Sequence, residues 1–156
     1  MALQLTSTAF KEGEAIPARC TCDEEDVSPP LAWSGAPDNT RSFALIADDP
    51  DAPDPKAPRM VWVHWVVYDL PANTTSLAEG VRKLPASAKV GVNDFRKSAY
   101  GGPCPPIGKH RYFFKLYALD TELGDLGKAT KGQVEKAMAG HVLAEAQLMG
   151  TYQRAG

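Results

Sequence analysis

The sequence predicts a mainly β protein that folds as a single domain over residues 1–156. Thirteen prolines and 13 glycines divide the chain into short segments. The apolar residues within those segments recur mostly at the two-residue spacing of strands. A length of 156 residues lies within the usual range for one domain. With 44% hydrophobic and 23% charged residues, the composition is that of a globular chain and not of a disordered one.

Four strands are predicted from these patterns. They cover residues 3–7, 42–47, 61–70 and 110–119, with turns at 34–35, 71–73 and 120–124. The apolar run at 43–47 is continuous, which is typical of a central strand buried on both faces.

One helix is predicted near the end of the chain. Thr130 and Gln133 have the spacing of a capping box. The apolar residues that follow at helical spacing share one face, and they are Val134, Met138, Val142 and Ala146. Gly150 is a stop signal, so the helix is predicted to end before it.

The charge of the chain argues against two classes of partner. Nineteen acidic and 17 basic residues give a net charge of −2, which provides no general basic field for nucleic acid. The longest apolar run, residues 61–68, contains His64 and is far shorter than the roughly 20 residues of a membrane-spanning helix. The start of the chain lacks the charged and apolar regions of a secretory signal. We therefore expect no nucleic-acid partner and no membrane span.

The three cysteines suggest a compartment and a structural use. Cys20 and Cys22 are too close along an extended chain to bridge each other easily, and an odd number of cysteines favours a reducing compartment. We predict a cytoplasmic location on this basis. The Cys20-x-Cys22 pair is one residue short of the usual zinc spacing and has no second pair, so both thiols are interpreted as structural.

Two long irregular segments, residues 48–59 and 97–109, are predicted to carry function. In the first, Asp49 and Asp51 directly follow a buried strand, where a carboxylate needs a partner. In the second, Gly101 and Gly102 have no side chain to keep a ligand from their backbone N–H groups. This segment is therefore predicted to form a preformed anion cradle.

Two histidines adjoin these segments. His64 lies within a predicted strand, and His110 shares a strand face with Tyr112. A lone strand histidine is more often a satisfied core residue, but the two rings could converge at one site if their strands are neighbours. A carboxylate partner raises the pKa of an imidazole and burial lowers it, and the sequence leaves that balance open.

Four blocks of the chain resemble the phosphatidylethanolamine-binding protein family, in its bacterial and archaeal, Raf-kinase-inhibitor-like branch. They occur in the family's order as Asp49-Pro50-Asp51-Ala52-Pro53, Trp62-Val63-His64-Trp65, Gly102-Pro103-Cys104-Pro105-Pro106 and His110-Arg111-Tyr112. Residues 28–33 and 143–152 extend the resemblance over almost the whole chain.

The resemblance implies a central β-sheet packed on a smaller sheet, with peripheral helices and a pocket that takes phosphate, acetate or phospholipid head groups. The positions that match the family's pocket, together with Gly102 from the predicted cradle, are Asp49, Asp51, His64, Gly102, Pro106, His110 and Tyr112. We expect non-enzymatic binding of small anions or lipid head groups such as phosphorylethanolamine, with no cofactor. Family members that inhibit a kinase or a protease suggest a regulatory or inhibitory role, and a homodimer is left open.

Two other chemistries stay open at this point. Cys104 could act as a hydrolase nucleophile with His110 as its base, although no cysteine-hydrolase signature surrounds it. Two histidines and a carboxylate could also form a metal triad. Neither a Gly-x-Ser-x-Gly elbow nor a nucleotide-binding loop is present. We therefore predict no catalytic residues and no metal.

Overall fold

The computed structural model describes residues 2–154 and confirms the mainly β prediction. The described residues form two sheets and one α-helix, and none of their helices is long and apolar enough to cross a membrane. The elements are β1 (Gln4–Thr6), β2 (Leu31–Ser34), β3 (Ser42–Ala52), β4 (Met60–Pro71), β5 (Ser76–Leu77), β6 (Lys89–Val90), β7 (His110–Leu119), α1 (Lys131–Met138) and β8 (Val142–Tyr152), with a 3-10 turn at Ala18–Cys20.

The larger sheet has five antiparallel strands in the order β6-β4-β3-β7-β8, and the smaller sheet has the order β1-β2-β5. β3 is central, as its continuous apolar run predicts. One buried cluster is shared by the two sheets and includes Trp33 and Phe43. A second cluster packs Val134 and Met138 of α1 against Ile46 and its neighbours. The larger sheet is therefore covered on both faces.

The four predicted strands are present as β1, β3, β4 and β7, with β3 departing most from its predicted bounds, whereas β2, β5, β6 and β8 were not predicted. β7 spans the predicted residues, and β4 extends one residue beyond the prediction at each end. β3 continues to Ala52, so Asp48 to Ala52 belong to a strand and not to the predicted loop. The backbone of this acidic segment is held by pairing with β4, which fixes the position of its carboxylates.

The helix begins as predicted and ends early. Both bonds of the capping box are present, from Gln133 N–H to Thr130 Oγ1 at 3.3 Å and from Thr130 N–H to Gln133 Oε1 at 2.9 Å. However, α1 ends at Met138, and Val142 and Ala146 lie in β8, so the prediction of a helix reaching towards Gly150 is wrong. β8 pairs along the whole of β7, and this pairing outweighs the helix-favouring composition of the segment.

The alternation of β4 is broken at His64. Ala47 pairs with Trp65 and Asp48 pairs with Val63, so His64 has no partner in the register between β3 and β4. Val63 packs in the helix-side cluster and Trp65 in the cluster between the sheets, whereas residues two apart in a regular strand lie on one face. A bulge of this kind redirects a side chain, and here it contributes to the orientation of His64.

A disulfide joins Cys22 to Cys104 across 82 residues, and Cys20 is a buried free thiol. Cys20 and Cys22 do not pair with each other, as predicted; Cys22 has a structural role, but in a disulfide and not as a free thiol. Disulfides persist mainly in oxidising environments. The cysteine argument for a reducing compartment therefore loses its basis.

Candidate functional site

A pocket of about 290 Å³ opens at one end of the larger sheet. Its volume suits a small ligand or one polar group of a larger molecule. β4 and β7 are not paired with each other as the sequence argument required, but each pairs with β3 between them, and the three strands bring together side chains that are far apart in sequence. The lining residues are Asp49, Ala52, Pro53, Met60, Trp62, His64, Phe95, Cys104, Pro105, Pro106, His110 and Tyr112.

Asp49 and His110 form a buried pair on one side of the pocket. His110 Nδ1 lies 2.6 Å from Asp49 Oδ2, and its Nε2 lies 2.9 Å from the Ile107 carbonyl oxygen. The second oxygen of Asp49 accepts the Asp51 N–H at 2.7 Å. Both nitrogens of His110 have an oxygen within hydrogen-bond distance, so the ring presents no free nitrogen to the pocket. The pair is therefore internally satisfied.

His64 has a different environment. Its Nδ1–H donates to the Gly101 carbonyl at 2.6 Å, and its Nε2 is buried without a partner among residues 2–154. Burial lowers the pKa of His64, against smaller opposing contributions from the Gly101 carbonyl and the negative charge of Asp49. Burial therefore decides the balance that the sequence left open, and the neutral ring presents Nε2 as a hydrogen-bond acceptor.

Tyr112 provides a second unpaired group in the pocket. Its ring packs edge-on against His64, with 5.2 Å between ring centroids, and its hydroxyl is buried without a partner in the described residues. Burial raises the pKa of Tyr112 well above its usual value, so the hydroxyl keeps its proton and can donate it to a ligand. Buried polar atoms without partners are uncommon in folded proteins. Two of the five such side-chain atoms found among residues 2–154 belong to residues that line this pocket.

Five of the seven predicted site residues line the pocket, and two do not. Asp51 binds the Arg111 side chain through two bonds of 2.9 Å and also accepts the Arg111 backbone N–H. The Arg111 guanidinium holds the pKa of Asp51 below its usual value. Asp51 thus fixes the start of β7 and does not face the ligand space.

Gly102 is the other residue outside the lining. Its N–H donates to Asp26 Oδ1 at 2.7 Å, and the Gly101 N–H donates to the His64 carbonyl at 2.9 Å. A Cβ on Gly102 would overlap Asp26 and the Cys20 carbonyl, so close packing is what requires glycine there. The predicted cradle of glycine N–H groups is wrong because both groups already have partners within the protein.

Comparison with known proteins identifies the family of the chain. Residues 6–153 match the phosphatidylethanolamine-binding protein family. The chain belongs to this family. A relative from Methanothermobacter thermautotrophicus, named only UPF0098 protein, is 49% identical over 155 residues, covering 97% of this chain and 99% of the relative. A UPF0098 protein from Aquifex aeolicus is 46% identical over 157 residues, covering 97% of this chain and 89% of the relative.

Solved structures of family members share the fold. A homologue from Chlamydia trachomatis superposes with a TM-score of 0.91 at 44% identity, and 99% of each chain is covered. The Escherichia coli protein YbcL gives a TM-score of 0.89 at 33% identity, with 99% of this chain and 100% of YbcL covered. These matches confirm the family resemblance and the packing of a central sheet on a smaller one.

The sequence patterns did not identify several apolar residues that line this pocket. Phe95 lies after β6, with its ring centroid 5.4 Å from that of His64 and 5.5 Å from that of Trp62. Trp62 could have been inferred, since it is two residues from His64 on the same strand. Phe95 could not be predicted as a lining residue, because its loop has no periodic pattern and its neighbours in the sequence do not line the pocket.

With the disulfide formed, Cys104 cannot act as a nucleophile. The sulfur of Cys104 is bonded to Cys22, so it carries no thiol proton for His110 to remove. The metal triad also fits the geometry poorly, since both nitrogens of His110 make hydrogen bonds that a metal would have to break. Within residues 2–154 no cluster of three potential metal ligands is found.

Proposed function

We propose that the pocket binds, without catalysis, a phosphate or similar small anion, either free or as the head group of a phospholipid such as phosphorylethanolamine. The observation that carries this proposal is the pair of unpartnered buried groups, His64 Nε2 and the Tyr112 hydroxyl. An oxyanion can accept from the tyrosine hydroxyl and share a proton with the imidazole nitrogen. Both oxygens of Asp49 are already hydrogen-bonded within the protein, one to His110 and the other to the Asp51 N–H.

Proton uptake by His64 is the expected consequence of anion binding. Because burial keeps the free ring neutral, an anion that binds at Nε2 is expected to stabilise the protonated imidazole. Affinity for phosphate should therefore rise as the pH falls through the histidine range.

Calorimetric titration with phosphate and with phosphorylethanolamine at several pH values tests this function. We expect His64→Ala to weaken phosphate binding by roughly ten- to a hundredfold and Tyr112→Phe by roughly tenfold. His141→Ala is the matched control, because His141 is exposed and paired with Asp120. Affinity that is independent of pH and unchanged by the first two substitutions would contradict the proposal.

A regulatory role toward a protease or a kinase is a second part of the proposal. It is supported by a likeness of fold alone to the carboxypeptidase Y inhibitor solved with its cognate proteinase, which has a TM-score of 0.65 and 19% identity. Carboxypeptidase assays with and without this protein would test the role toward proteases. Unchanged rates at a large molar excess of the protein would argue against that role.

The proposed cytoplasmic location conflicts with the disulfide unless the source keeps disulfides inside its cells, as some hyperthermophiles do. Rapid alkylation of intact cells tests it. Cytoplasmic protein in an ordinary reducing cell should have Cys22 and Cys104 as free thiols. Full oxidation of Cys22 and Cys104 in such a cell would indicate that the protein lies in an oxidising compartment.

A further inference from the structure

Two loops in contact form the mouth of the pocket. The first is the β3–β4 connection with the start of β4, residues 53–61, and the second is residues 105–109 before β7. A Cβ on Gly108 would lie 2.9 Å from Pro55 Cδ, so the two loops touch. The Ile107 carbonyl also bonds His110 inside the pocket. We call residues 53–61 and 105–109 the rim.

The rim concentrates exposed apolar side chains. Four large hydrophobic residues are exposed among residues 2–154, and three of them belong to the rim: Met60 at 46%, Val61 at 46% and Ile107 at 55%. The fourth, Val142 at 41%, pairs with Leu119 at the opposite end of β7 from His110. Clustered exposed apolar residues mark interaction surfaces, whereas single ones need no explanation.

The rim and the adjoining Phe95 loop are basic in an otherwise acidic protein. Residues 53–61, 93–97 and 105–109 contain five basic and two acidic residues, whereas the remainder of the chain contains 12 basic and 17 acidic residues. The five basic residues are exposed, and within residues 2–154 none of them forms a salt bridge. They are Lys56, Arg59, Arg96, Lys97 and Lys109.

We propose that the rim docks on an anionic phospholipid bilayer. Apolar side chains beside exposed lysine and arginine are the composition that binds a membrane surface, where the apolar groups enter the head-group boundary and the basic groups meet lipid phosphates. The pocket opens within this surface and would receive a lipid head group directly. Entry of a head group into the pocket rests on the proposed function, whereas the docking rests on the exposed residues of the rim.

Sedimentation with vesicles of equal parts phosphatidylethanolamine and phosphatidylglycerol tests the docking. The chain offers a matched pair, because Val61 and Val142 are strand valines of similar exposure at opposite ends of the sheet. We expect Val61→Asn to weaken vesicle binding roughly five- to tenfold and Val142→Asn to leave it unchanged. Lys56→Gln should weaken it roughly fivefold, and Lys136→Gln on α1 should not.

A parallel phosphate titration separates the rim from the pocket. Neither Val61 nor Lys56 lines the pocket, so both variants should bind phosphate as the wild type does. Wild-type protein that binds phosphate but not vesicles would overturn the docking proposal and leave the proposed function intact. Equal losses for Val61→Asn and Val142→Asn would also overturn it. Vesicle binding at the rim without phosphate binding would support docking and contradict the proposed function.

Discussion

The two histidines of the pocket, His64 and His110, differ in their roles because their hydrogen-bond partners differ. His110 is satisfied by Asp49, 61 residues away, and by Ile107, whereas His64 has the Gly101 carbonyl on one nitrogen and nothing within residues 2–154 on the other. The sequence predicted both histidines and Tyr112 as site residues, and all three line the pocket. It could not show which ring is satisfied, because most of those partners are brought together only by the sheet.

The depressed pKa of His64 predicts a pH dependence of stability. Folding lowers this pKa from 6.5, so below about pH 6.5 the unfolded chain binds the proton more readily than the folded one. The free energy of unfolding should therefore fall as the pH drops below that value, by up to about 1.4 kcal/mol per pH unit from this residue.

Denaturant unfolding of wild type and His64→Asn across this pH range measures the effect. Asparagine can still donate to the Gly101 carbonyl but does not titrate. As the pH falls from neutral to below about 6.5, the free energy of unfolding should drop less for the variant than for the wild type. Identical slopes for the two proteins would show that His64 does not enter the folded state neutral.

At the scale of elements, the sequence correctly predicted features that depend on residues close together in the chain. The capping box located the start of α1, and alternating apolar residues located β7. β8 was misassigned because its alanines, leucines and glutamine favour a helix, and only the free edge of β7 makes it a strand. The bulge at His64 could not be predicted from the sequence either, since it depends on the register between two strands.

The capping box predicts a measurable contribution to stability. Thr130→Ala removes the oxygen that accepts the Gln133 N–H, so we expect the free energy of unfolding to drop by about 1 kcal/mol. Thr75→Ala is the control, since Thr75 is exposed and its hydroxyl makes no hydrogen bond within residues 2–154. Chemical denaturation of both variants would show equal stabilities if the cap contributed nothing.

At the scale of the whole molecule, the disulfide ties an N-terminal segment to the pocket loop. The Cys22 N–H also donates to the Pro103 carbonyl, and the Tyr100 hydroxyl donates to the Cys20 carbonyl. The segment around residues 20–26 therefore holds the loop that supplies Gly101, Pro105 and Pro106. The sequence could not assign this pairing, because three cysteines allow several and spacing does not choose among them.

Reduction of the disulfide should lower the free energy of unfolding by about 2 to 5 kcal/mol, because the bond closes a long loop in the unfolded chain. Denaturation with and without dithiothreitol measures this difference. A single cooperative transition in the oxidised protein would also support the proposed single domain. Without reductant, thiol labelling should modify only Cys20, and only after unfolding. Labelling of more than one cysteine under those conditions would show that the bridge is absent.

The contact between a bound anion and His64 Nε2 can be observed directly by nitrogen NMR of the imidazole rings during phosphate titration. The chain has three histidines, and exposed His141 is an internal reference. We expect the Nε2 signal of His64 to move from that of an unprotonated nitrogen towards that of a protonated one as phosphate saturates the site, while His141 stays unchanged. An unchanged His64 signal at saturating phosphate would contradict the binding of the anion at this nitrogen.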